Sequence, residues 1–303
     1  MYEIKKRLVE FKPHLKETTI RQYLHNLTLI YRKLYETDKA PQTLNFLKNK
    51  DKLDRLLETY KTDNTRKNYA NIIAIFLTLH QHHQESDPTL PILINHFNKI
   101  RDDINIKNKK ESKLNIKTHA QEKHWIPYDV IINIRDGLKS TDHQKYTLLS
   151  LMLRYPMRND MRELKIMLNR EYNKLTLEEK QNTNALIRSS KGYEFILNNY
   201  KTNKTYNEKR IPIDKEFNGM IKKQIKGRTY LFELSDGKHF NTNSFTKYLN
   251  SIFKHTNKKV SSCMLRHIVL SHKYGNILKE MKEDSHNMGH SIETQKDYIK
   301  MNF

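Results

Sequence analysis

The sequence predicts a mainly α-helical chain in two domains, the second carrying a small antiparallel β-sheet, and three observations predict it. Apolar residues in the first hundred positions recur at helical spacing. A lysine-rich stretch poor in large apolar residues follows at 105–123. Beyond it, between further helical stretches, aromatic and β-branched residues flank polar turns. A length of 303 residues suits two domains of about 150 residues each. The chain is therefore divided into a helical domain, 1–104, a basic linker, 105–123, and a mixed α/β domain, 124–303.

In "TTIRQYLHNLTLIYRKLY", residues Tyr23, Leu24, Leu27, Ile30, Tyr31 and Leu34 form one apolar stripe, and Thr18 or Thr19 is suited to cap its start. The segment "LNFLKNKDKLDRLLETY" predicts a short helix pair. A longer helix is expected from about Asn64, with Tyr69, Ile72, Ile73, Phe76 and Leu79 on its core face. "ESDPTLPIL" punctuates the path to a further helix around Ile94 to Ile104, and "HQHH" at 80–83 reads as a polar helix end rather than a zinc site. In the linker "NIKNKKESKLNIKTHAQEK" there is too little apolar surface to bury, which predicts a solvated hinge or one half of a clamp around a duplex.

After that, "IPYDVIINIRDGL" and "KYTLLSLMLRY" are read as helices. "ALIRSSKGYEFILNNYKTNKTYNEKRIPID" predicts two or three antiparallel strands, with Pro212 on an edge strand, where no partner needs the missing N–H. From "NTNSFTKYLNSIFKHT" onward the pattern is helical again.

With 56 Lys plus Arg against 34 Asp plus Glu, the formal net charge is +22, which suits a polyanionic partner whose condensed counterions the lysines would displace. An AT-rich codon bias, which favours Lys, Asn, Ile and Tyr together, would give the same charge without a partner. One cysteine, Cys263, excludes an internal disulfide framework and any zinc site of several thiolates. There is no apolar run of ~18 residues, and the start "MYEIKKRLVEFKPHLKE" lacks the hydrophobic centre of a secretory signal, so the expectation is an intracellular protein without a membrane partner.

Three segments, "RYPMRNDMRELKI", "YKTNKTYNEKRIPI" and "SSCMLRHIVLSHKYGN…MGHSIETQKDYIK", resemble in their order the motifs of tyrosine recombinases, the integrase family. The resemblance covers essentially the whole chain, weakly in the helical domain and strongly in the last forty residues. Its style is nearer to the recombinases of eukaryotic DNA viruses, virophages and related mobile elements than to bacterial chromosome-resolution enzymes. It implies a helical core-binding (SAM-like) domain followed by a catalytic domain. It also implies double-stranded DNA as partner and a homo-oligomer, a tetramer, on that DNA. No cofactor, metal or nucleotide is implied, and the place of action is wherever the DNA is: nucleus, viral factory or cytoplasm.

Carried over position by position, Arg158 in "PMRND" matches the first family arginine, and Lys201 in "YKT" matches the hairpin lysine, with Lys204 as competitor. Arg266 matches the arginine of the His-x-x-Arg motif, and Cys263 stands where most members carry histidine. If "CMLRHIVLSHKYG" is a helix burying Leu265, Ile268 and Val269, Cys263 and Arg266 share another face at i and i+3. His267 then points about 100° away and reads as a packing histidine. His290 matches the last family histidine, and Tyr298, eight residues later, the nucleophile.

These residue types suit metal-free strand cleavage, which must neutralise a pentavalent phosphate, activate an attacking oxygen and protonate the departing 5′ oxygen. Guanidiniums do the first, and nearby cations lower the cost of ionising a phenol. A lysine supplies the leaving-group proton, and a histidine donates a hydrogen bond to the phosphate. A thiol at 263 holds its proton to higher pH than an imidazole, which leaves its part open. Relaxation by a type IB topoisomerase and DNA binding by a catalytically decayed relative are the alternatives. The five residues after Tyr298, 299–303, leave little chain for exchange between subunits.

Overall fold

A computed structural model describes residues 1–83 and 87–300, so the start of "ESDPTLPIL" and the last three residues lie outside the described part. The chain forms two compact units, Met1–Ile116 and Lys117–Phe303, each with its own hydrophobic core.

The first unit is helical: α1 (Tyr2–Phe11), α2 (Glu17–Tyr35), α3 (Lys50–Glu58), α4 (Asp63–Gln81) and α5 (Thr89–Leu114), with a 3₁₀ turn at Asn45–Lys48. Helix α4 is central. Ile72, Ile73, Phe76, Leu77 and Leu79 are buried along it, and the Thr62 side chain accepts from the Thr65 amide, a cap worth about 1 kcal/mol. Helix α2 begins one residue before the expected threonines, with Lys16 at the cap position and no side-chain cap.

The linker is drawn differently from the expectation. Residues 105–114 continue α5, α6 (His119–His124) begins soon after, and the division between units falls at 116/117. Composition alone pointed to an irregular segment, but Lys and Glu are good helix formers even when fully solvated. In addition, Lys107 pairs with Asp63 at 2.7 Å and Asn108 bonds Asn64 at 3.2 Å, tying the extension to the start of α4.

The second unit continues with α7 (Tyr128–Thr141) and α8 (His143–Arg154), then β1 (Lys165–Leu168), α9 (Asn169–Asn173) and α10 (Leu177–Gln181). The hairpin β2 (Ala185–Ser189) and β3 (Gly192–Leu197) leads through α11 (Asn203–Tyr206) to β4 (Lys209–Pro212). Helices α12 (Asn218–Gln224), α13 (Thr242–Ile252), α14 (Ser262–Asn287) and α15 (Ile292–Tyr298) follow.

Strands β2, β3 and β4 are antiparallel as the sequence indicates, and Pro212 ends edge strand β4. The sheet is nevertheless mixed, because β1 pairs with β2 in parallel, in the order β1-β2-β3-β4. A parallel neighbour needs a crossover, and α9 and α10 supply it. At the β2–β3 turn, Gly192 adopts φ +120°, and a Cβ there would come within 3.3 Å of the Asn218 side chain. Helix α8 is the keel of this unit: every residue from Thr147 to Leu153 is buried.

Candidate active site

The arginine segment follows directly from α8. That buried helix ends at Arg154, and a 3₁₀ turn, Asn159–Glu163, carries the chain into β1. Three arginines lie there, and their partners differ. Arg154 pairs with Asp214 at 2.5 Å and Arg162 with Glu163 at 2.6 Å. Arg158 is exposed and, among the described residues, makes no hydrogen bond or ion pair, so its guanidinium is free to take an anion.

Helix α14 presents the second arginine. Ser261 caps it by accepting from the Met264 amide, and Leu265, Ile268 and Val269 are buried as the periodicity requires. This fixes the rotation of the first turns, leaving Cys263 exposed and Arg266 half-buried. Its Nε donates to the Ser262 carbonyl at 3.4 Å, and Arg266 forms no ion pair among the described residues. The Ser262 hydroxyl donates to Asn159 Oδ1 at 2.6 Å, which ties the base of α14 to the residue beside Arg158. His267 is exposed, which corrects the expectation of a packing histidine: the 100° step turns it past the core face into solvent.

Asp160 joins these parts. Burial holds its carboxyl above the usual range, while the positive charges of Arg162, Arg158 and Arg266 pull it the other way. One carboxylate thus lies within electrostatic reach of both Arg158 and Arg266. The Tyr200 phenol is raised by burial and further by the charge of Asp160, which brings the β3–β4 connection into the same neighbourhood. Tyr200 donates to the Asn207 carbonyl at 2.7 Å and closes that connection into a compact turn. Lys201 and Lys204 both stand exposed on it, without an ion pair among the described residues.

His290 and Tyr298 form a second group. Gly289, at φ +71°, turns the chain out of α14. The Ser291 hydroxyl accepts from the Thr294 amide at the start of α15, and the His290 and Tyr298 rings stack with centroids 5.6 Å apart. A buried hydrogen bond from Ser285 to Gln295 fastens α15 to the end of α14. Tyr298 is 69% exposed.

Arg266 sits in the second turn of α14, and Ser285 lies about 28 Å of helical rise further along. The arginines therefore belong to the base of α14, whereas the histidine and tyrosine are tied to its tip.

The sequence reading missed Asp160 and the Ser262–Asn159 link. The signal for Asp160 was available in "RND", an acid two residues from the arginine it modulates. Nothing in the sequence announces Asn159 as a partner of Ser262, because 103 residues separate them.

No family model matches the chain, and no curated protein matches it either. Among solved structures it is similar to the crystal structure of XerA recombinase, at 16% identity and a TM-score of 0.33 over 99% of this chain and 94% of that one. It is also similar to the crystal structure of a lambda integrase dimer bound to a COC′ core site, at 14% identity and a TM-score of 0.49 over 96% of this chain and 74% of that one.

Proposed function

We propose that the chain is a site-specific DNA recombinase, the integrase of a virus or mobile element. It cleaves and rejoins double-stranded DNA through a 3′-phosphotyrosine intermediate while assembled as a tetramer on its sites. The observation that carries this reading is the 2.6 Å hydrogen bond from Ser262, at the base of the helix bearing Arg266, to Asn159, the residue beside Arg158, with Asp160 feeling the charge of both arginines. Two guanidiniums without ion-pair partners, held within reach of one carboxylate and beside an exposed lysine turn, form a receptor for a phosphodiester.

In the reaction, a non-bridging oxygen pair of the scissile phosphate lies against Arg158 and Arg266. The Tyr298 oxygen attacks phosphorus, its proton passing to solvent. The bond to the 5′ oxygen breaks, and Lys201 gives that oxygen a proton. His290 donates a hydrogen bond to the phosphate, and the exposed Cys263 thiol serves as a second, weak donor to it. A 5′ hydroxyl from another strand reverses the step, so the phosphodiester energy is conserved and no nucleotide is consumed. The N-terminal unit, with the +22 charge of the chain behind it, serves as the DNA-holding domain and the second unit as the catalytic domain.

Because α15 is fastened to the tip of α14, the attack requires one of two movements. The outer half of α14 folds toward the arginines of its own chain, or Tyr298 is handed to the arginines of another copy. The same separation favours a second reading, a DNA-binding protein with a decayed centre.

A nicked suicide duplex distinguishes them. The wild-type chain becomes covalently attached, and Tyr298→Phe binds the duplex equally well with no attachment. Tight binding without attachment by the wild type on any substrate supports the decayed reading, and attachment by Tyr298→Phe removes Tyr298 from the mechanism.

A further inference from the structure

The second unit carries a feature outside the proposed cleavage chemistry: an open groove of about 810 Å³ between α12 and the ends of β1 and β2, continuous with a smaller depression at the β2–β3 turn. Its apolar lining is mainly aliphatic, Ile166, Leu168 and Ile225, with the largely buried Tyr193. Around it stand six cations, Arg188, Lys191, Lys215, Lys222, Lys223 and Lys226. None of the six forms a side-chain hydrogen bond or an ion pair among the described residues. The carboxylate in the lining, Glu171, is engaged by the Leu168 amide at 2.8 Å. Strand β3 runs from this end of the sheet toward Lys201, about 20 Å away for six residues, so the groove is not part of the phosphate receptor.

We propose that this groove docks an acidic, amphipathic segment of a partner protein, with apolar side chains on the aliphatic floor and carboxylates against the lysine rim. Like charges crowded around an apolar strip repel one another, and an acidic occupant relieves that repulsion while burying the floor. Nucleic acid fits less well. Bases bind by stacking on exposed aromatic faces, and the groove offers aliphatic carbons and one largely buried tyrosine; duplex phosphates gain nothing from an apolar floor. Gly219 adds to the fit. It lies in α12 at the groove, and nothing stands within 4 Å of where its Cβ would be, so a partner can approach the helix backbone there.

The test uses the full chain and a fluorescein-labelled synthetic helix with leucines on one face and glutamates on the other, followed by fluorescence anisotropy. A peptide with serine in place of leucine controls for charge. The leucine peptide should bind the wild type at least about tenfold more tightly than the serine peptide. Lys222→Glu with Lys226→Glu should weaken it by about tenfold or more, and Gly219→Leu, which fills the groove with its charges intact, should do the same. Reversing Lys109 and Lys110, both exposed on α5, should change it by less than about twofold. Thermal melts of each variant show whether the fold survives, and the two groove variants fail for different reasons if either fails to fold.

Four results overturn the proposal: equal binding of the serine peptide; equal loss in the Lys109 and Lys110 variant; loss of duplex DNA binding without loss of peptide in the Lys222 and Lys226 variant; or loss of self-association without loss of peptide.

Discussion

Helix α14 is continuous in its hydrogen bonding and divided in its environment. From Ser262 to Val269 it lies on the core of the second unit, with Leu265 and Ile268 almost inaccessible and its first turn bonded to Asn159. From Leu270 to the end only Ser285 is buried, and Leu270, Tyr274 and Ile277 are each more than 40% exposed. The base of the helix is held by packing; the tip is held by its own backbone and by α15. The backbone that carries Arg266 on the base therefore has one position that the core dictates. Tyr298, beyond the tip, has a position that can be exchanged for another at little cost in buried surface. The precise part of the proposed chemistry, charge stabilisation, resides on the rigid half, and the part that must travel resides on the other.

The largest effect that sharpens this contrast is expected at the base. Arg158→Ala or Arg266→Ala should reduce covalent attachment to a suicide duplex by about 10²–10³-fold, the usual loss for a preorganised donor to a transition state. Lys279→Ala, on the exposed half, removes the same charge and should change attachment by no more than about threefold. Equal losses at the two places would break the comparison.

A smaller effect is expected midway. Gly275 lies inside α14 with nothing near a built Cβ, so alanine fits and stiffens the helix by up to about 1 kcal/mol. If the outer half folds back within one chain, Gly275→Ala should slow attachment by up to about fivefold with DNA binding unchanged. An unchanged rate indicates that the helix stays intact and Tyr298 reaches a second copy. Mixing Tyr298→Phe with Arg266→Ala chains separates these outcomes, because attachment in the mixture requires donation between copies.

The smallest effect concerns Asp160. Its carboxyl is raised in the folded chain, chiefly by burial, so the ionised form is disfavoured there relative to the unfolded chain. The sign follows: the contribution of this group to stability is fully present below the unfolded carboxylate range and is lost as pH rises through the raised folded value. Asp160→Asn should therefore match the wild type in urea midpoint at low pH and exceed it modestly at neutral pH. A variant less stable than the wild type at neutral pH would mean that attraction to the arginines outweighs desolvation.

Much of the fold was legible because apolar periodicity reports directly on burial. The stripe of α4 and the buried face at Leu265, Ile268 and Val269 are written as apolar residues at helical spacing, and the β2–β3–β4 pairing as aromatic and β-branched residues on either side of polar turns. Strand β1 was not, since four residues carry no usable period and its parallel partner lies beyond two short helices. The extension of α5 into 105–114 escaped because a solvated helix of lysines and a solvated loop of lysines have the same composition, and its ties to Asp63 and Asn64 come from distant sequence. At the candidate site, residue types were readable and their grouping was not: nothing in "MGHSIETQKDY" indicates that it is fastened to the far end of the helix that bears Arg266.

The most direct test is to digest the attached wild-type complex with protease and identify by mass spectrometry the residue bearing the nucleotide. A 3′-phosphonucleotide on Tyr298 is the predicted result. A nucleotide on Tyr274 or any other side chain, or bound duplex that never becomes attached, would contradict the account.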